Sequence, residues 1–117
     1  MMSRVKRGTI SLKRRRNTLK QTKGYNFGRS TKERQAREAI FHAGTYAFNH
    51  RRDKKADFRR LWQVQINAAS RALGNLSYSR FIDSLKKKNI SLDRKILAGL
   101  AEKKPETFKR VLDNITI

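Results

Sequence analysis

Apolar positions are sparse and irregular in the first half of this chain and periodic in the second. Phe58, Trp62, Ile66, Ala69 and Leu73 step by 4, 4, 3 and 4 residues, the spacing of one core-facing stripe on a helix. Gly74-Asn75 supplies the stop. Upstream, Ala36, Ile40, Ala43 and Ala47 keep a helical period but form a narrow stripe of small residues, better suited to close approach by a partner than to a deep core. Ser30-Thr31-Lys32-Glu33 reads as a capping box: the Ser30 hydroxyl would satisfy an amide near Glu33, whose carboxylate would reach back. No proline precedes Pro105. One long helix over 31–73 is therefore predicted, with Gly44 a candidate bend.

Three shorter helices follow. Ser77 is positioned to cap the first, which carries Tyr78, Phe81, Ile82 and Leu85 and ends in Lys86-Lys87-Lys88 at the negative helix terminus. Ser91 is the candidate cap of the second, with Leu92, Ile96, Leu97 and Leu100 expected inside. Pro105 suits the first turn of the third, which bears Phe108, Val111 and Leu112. No segment alternates as a strand does, and no internal repeat is present. The predicted fold class is all-α: an extended basic N-terminal tail and a long helix, followed by a small C-terminal helical bundle.

The apolar count divides the chain. Residues 1–57 hold ten Val, Ile, Leu, Phe, Tyr and Trp side chains and residues 58–117 hold twenty-one. Ordering a residue costs about 1–2 kcal/mol of backbone entropy, so only the second part can bury enough surface to fold by itself. Residues 1–57 are read as a basic extension that includes the start of the long helix, and 58–117 as the globular domain. The boundary falls inside that helix. Gly8, Gly24 and Gly28 punctuate the first 28 residues, where a short helix near 10–22 is compatible with the sequence. Isolated, this segment is expected to be largely disordered and to order when a partner neutralises it.

Charge identifies the kind of partner. Nineteen of the thirty Lys and Arg residues lie in the first sixty positions against four acids, a local charge of +15, while the remaining residues carry +6. Self-repulsion of that size calls for a polyanion, and nucleic-acid phosphate is the natural one. Arg offers its oxygens a planar fork and Lys a mobile point charge. The candidate contacts are Arg4, Lys6, Arg7, Lys13, Arg14, Arg15, Arg16, Lys20, Lys23, Arg29, Lys32, Arg34 and Arg37, then Arg51, Arg52, Lys54, Lys55, Arg59 and Arg60. The last six occupy ten positions, too densely for one helix face. Tyr25 and Phe27 sit between Lys23 and Arg29 in a glycine-flanked segment, where a ring could stack on an unpaired base. They could equally staple the helix that follows. Tyr46 and Phe48 pose the same choice near Arg51.

Other classes find little support. There is no cysteine, hence no disulfide framework or thiolate metal site. No apolar run approaches a membrane span, and the basic start lacks the hydrophobic stretch of a secretory signal, so a soluble, unsecreted protein is expected. His42 and His50 are eight apart and form no local metal motif. No nucleophile constellation, Walker loop or paired carboxylates outside basic surroundings occur, so neither catalysis nor a cofactor is expected. A nucleoid-type DNA binder would need a compact basic helix within the bundle, but the charge is concentrated outside it. A membrane-surface helix would need an apolar face that residues 48–60 lack.

Several segments resemble the bacterial-type family of large-subunit ribosomal protein twenty. They are Arg4-Val5-Lys6-Arg7-Gly8, Leu19 to Tyr25, Asp57-Phe58-Arg59-Arg60-Leu61-Trp62, Ile66-Asn67-Ala68-Ala69, Tyr78-Ser79-Arg80-Phe81-Ile82, Leu85-Lys86-Lys87 and Asp93 to Ala98. Ordered matches thus run from residue 4 to about 100. The resemblance implies direct binding to large-subunit (23S-type) rRNA, a basic helical extension threaded into RNA, a role early in subunit assembly, and neighbouring large-subunit proteins as partners. It implies no membrane and no homo-oligomer. Its setting would be a bacterial cytoplasmic ribosome or that of a plastid or mitochondrion. The chain departs from the family at Gln65, commonly basic there, and at Asn75-Leu76 in the turn before Tyr78.

Overall fold

The computed structural model describes residues 3–116. Among them five helices occur in the order α1 (Arg7–Gln21), α2 (Glu33–Gly74), α3 (Tyr78–Lys87), α4 (Arg94–Lys103) and α5 (Pro105–Thr116), with a 3₁₀ turn at Phe27–Arg29 between the first two. No strand occurs among the described residues. The all-α expectation holds, and the long helix lies within a residue or two of its predicted bounds. The chain divides into two compact units between Arg51 and Arg52.

The C-terminal unit is built round α5, which packs against α3 and α4. Phe81 and Phe108 meet with ring centroids 5.4 Å apart and planes 34° apart. Ile66, Leu85, Leu97, Ala98, Leu112 and Ile115 close round them, and Trp62, Ala69, Leu76 and Val111 cover the edges. Each large side chain fully withdrawn from water contributes about 1.5–3 kcal/mol, so this cluster is what opposes chain entropy here. The stripe on α2 is shorter than its spacing predicts: Phe58 is 45% exposed and Leu73 40% exposed. Only the stretch from Trp62 to Ser70 is covered. Ser70 is wholly buried and donates its hydroxyl to the carbonyls of Asn67 (3.1 Å) and Leu76 (3.0 Å), so it leaves no orphan polar atom.

Gly74 and Asn75 both end α2, by different means. Asn75 takes the left-handed conformation (φ 51°) that releases the chain. At Gly74 a Cβ would come within 3.3 Å of Leu112 Cδ2, so the missing side chain lets α5 approach. Ser77 precedes α3 without capping it. The Tyr78 amide instead donates to Asn67 Oδ1 at 3.1 Å, a cap supplied across the turn by α2. Lys87 closes α3 by pairing with Asp83 at 2.8 Å. That hydrogen bond first, and the Asp83 charge second, hold the Lys87 ammonium above its ordinary pKa.

Ser91 does not cap α4. Asp93 does, accepting the Ile96 amide at 2.8 Å. Starting the helix at Arg94 turns its buried side onto Leu97 and Ala98 and leaves Leu92 (36%) and Ile96 (50%) exposed. Pro105 opens α5 as predicted.

In the N-terminal unit, α1 has no buried residue. Thr22, just beyond it, and Ala36 on α2 are wholly buried, and Arg15 donates to the Thr31 carbonyl at 2.9 Å. The small-residue stripe is thus closed at Ala36 but open at Ala43 and Ala47. The capping box does not form. Ser30 donates to the Phe27 carbonyl at 3.2 Å, and Glu33 pairs with Arg37 one turn on at 2.9 Å. The 3₁₀ turn claims the Ser30 hydroxyl first, because a serine there can serve the preceding turn as readily as the next helix.

Candidate nucleic-acid interface

Every cation named from the sequence is exposed. Arg4 and Lys6 precede α1, while Arg7, Lys13, Arg14, Arg15, Arg16 and Lys20 lie along it. Lys23 and Arg29 belong to the connection, and Lys32, Arg34 and Arg37 to the start of α2. Within this unit Arg15 joins Lys32, Arg34 and Arg37 around one open cleft of about 830 Å³, with Glu33, Glu38, Phe41 and His42 completing its walls. Acids trim this charge without cancelling it, since Glu33 is paired with Arg37 and Glu38 lies 3.6 Å from His42. The Glu33–Arg37 pair, one turn apart on a solvent-exposed helix, contributes little stability, about 0.2–0.5 kcal/mol.

A second open cleft, about 690 Å³, is lined by Tyr25, Arg29, Gln35, Glu38, Ala39, His42, Ala43 and Tyr46. Tyr46 stacks between His42 (centroids 6.0 Å) and His50 (6.3 Å), a ladder of rings one helical turn apart. Tyr25 and Phe27 separate here. Tyr25 turns toward this cleft, whereas Phe27 is 96% exposed and has the left-handed backbone (φ 58°). Such a conformation in a bulky residue costs on the order of 1–3 kcal/mol. Phe48 lies beneath the Arg51 guanidinium, 5.9 Å from its ring centroid, in cation–π contact.

In the C-terminal unit, Arg52, Lys54, Lys55, Arg59 and Arg60 are exposed on α2, with Arg60 3.4 Å from Asp57. This unit also orders basic groups the sequence reading passed over. Asn67 Oδ1 accepts from Arg71 Nε (3.2 Å) as well as from the Tyr78 amide, and the Tyr78 hydroxyl accepts from Arg94 Nε (2.8 Å). The i, i+4 spacing of Asn67 and Arg71 was the available signal. The link from Tyr78 to Arg94 spans sixteen residues and had none.

No group of three or more metal-ligating side chains occurs among the described residues. No helix there is long and apolar enough to cross a membrane. Helices bearing exposed cations, with aromatic rings set among them, define a class: a strongly basic, all-helical protein. The family model described as Ribosomal protein L20 matches residues 4–111. The large ribosomal subunit protein bL20 of Roseiflexus sp. (strain RS-1) is 51% identical over 112 residues, covering 96% of this chain and 95% of the relative. That of Chloroflexus aggregans is 50% identical over 111 residues (95% and 92%), and that of Opitutus terrae 54% over 100 (86% and 78%). The chain belongs to the ribosomal protein L20 family.

Proposed function

We propose that this chain is a structural constituent of the large ribosomal subunit, not an enzyme, and that it binds large-subunit rRNA directly. Its exposed cations neutralise phosphates of RNA segments brought close together, which promotes assembly of the subunit. The observation that carries this reading is the +15 of the first sixty residues, borne on side chains that are all exposed. Arg15, Lys32, Arg34 and Arg37 supply one focus of that charge, and the basic stretch Arg51–Arg60 another. We assign RNA contact to residues 1–57 in the main and read 58–117 as the globular domain. The division of the chain into compact units between Arg51 and Arg52 supports a boundary in this part of α2.

The curated relatives cited are bacterial, which favours a bacterial-type ribosome as the setting. Neighbouring large-subunit proteins are the expected protein partners. The test is competition at matched salt between transcribed large-subunit rRNA and duplex DNA of random sequence. Preferential retention of rRNA is expected, and equal affinity for the two would reduce the chain to a generic polyanion binder.

A further inference from the structure

Phe27 is a large apolar residue that adds nothing to either core, being 96% exposed in a turn where its backbone is left-handed. The turn is braced. The Gly28 carbonyl accepts the amides of Lys32 (2.8 Å) and Thr31 (3.3 Å), and the Ser30 hydroxyl holds the Phe27 carbonyl. Gly28 also lies so close to Gln35 of α2 that a Cβ there would collide with the Gln35 amide oxygen. These contacts fix the backbone and leave the ring in solvent. A staple onto α2, the alternative open to this residue from sequence, would bury the ring and is excluded.

We propose that Phe27 is a stacking platform for an unpaired RNA base. A base within a helix presents only its edges, whereas an unpaired base presents a face that an aromatic ring can cover whatever its identity. Lys23, Arg29 and Lys32 flank the turn and are exposed, so phosphates drawn to them bring a nucleotide to the ring. The turn therefore supplies a contact that depends on RNA structure, added to a charge that does not.

This inference rests on the rRNA-binding reading, and three variants of the full chain separate the two. Phe27→Gly removes the ring and suits the left-handed backbone, Phe27→Trp keeps an aromatic face, and Phe27→Leu keeps apolar bulk without one. Binding to transcribed large-subunit rRNA is measured across a salt series, with helix content checked by circular dichroism. Phe27→Gly is expected to weaken binding roughly 5- to 150-fold with the salt slope unchanged, Phe27→Leu to fall with it, and Phe27→Trp to stay with the wild type. Wild-type affinity in Phe27→Gly would overturn the proposal while leaving RNA binding intact. Wild-type affinity in Phe27→Leu would also overturn it, assigning the position to apolar contact alone. Failure of the unsubstituted chain to prefer rRNA over duplex DNA at matched salt would instead remove the reading beneath it.

Discussion

Asp93 and Ser91 lie two positions apart, and both residue types cap helices, yet only Asp93 accepts an amide of α4. Asp93→Ala should therefore lower stability by about 1 kcal/mol. Ser91→Ala should stay within about 0.5 kcal/mol, and urea unfolding of the two variants checks both. The same limit applies at Ser30 and Ser77, where local pattern offered a cap but the hydroxyls meet the Phe27 carbonyl (3.2 Å) and the Ser79 hydroxyl (3.3 Å) instead. A short polar side chain has several backbone partners within reach, and which it takes depends on where the neighbouring turn sits. Side chains with one strong preference were legible: Pro105 opens α5, and Asn75 takes the left-handed step after Gly74. Phe108 was likewise legible as core. With its ring wholly buried against Phe81, Phe108→Ala should cost about 3–5 kcal/mol, seen as a lower urea midpoint with the slope retained.

Among the elements, α1 and α2 differ in what holds them. Helix α1 spans fifteen residues with none buried, so few tertiary contacts support it, and a helix of that length is marginal in water. Its amides should exchange within the fast range in the unbound protein and become protected when rRNA is added, whereas those of α2 around Ile66 should be slow in both states. Hydrogen exchange with peptide-level readout measures this, and equal protection of α1 with and without RNA would count against ordering by charge neutralisation. Helix α2 was legible because its period is long and uninterrupted. Its exposed ends of the apolar stripe, Phe58 and Leu73, were not, because spacing shows which residues share a face but not how far along the helix other elements cover it.

For the whole molecule, the uneven charge gave the class of partner, and the family gave its identity. Composition located the cations but could not show that Arg15 lines one cleft with Lys32, Arg34 and Arg37, or that Arg94 is held by Tyr78, since both depend on chain reversals between distant residues. On the proposed function, the cations of the N-terminal unit bind by displacing counterions from rRNA phosphates. The most direct test of this is the slope of log affinity against log salt for the full chain and for the triple variant Lys13→Gln, Arg14→Gln, Arg16→Gln on α1. These three are exposed, so the substitutions remove charge while sparing the core. The expected result is a slope shallower by about 2–3 in the variant, with affinity reduced alike for every rRNA fragment that the chain binds. An unchanged slope would contradict it.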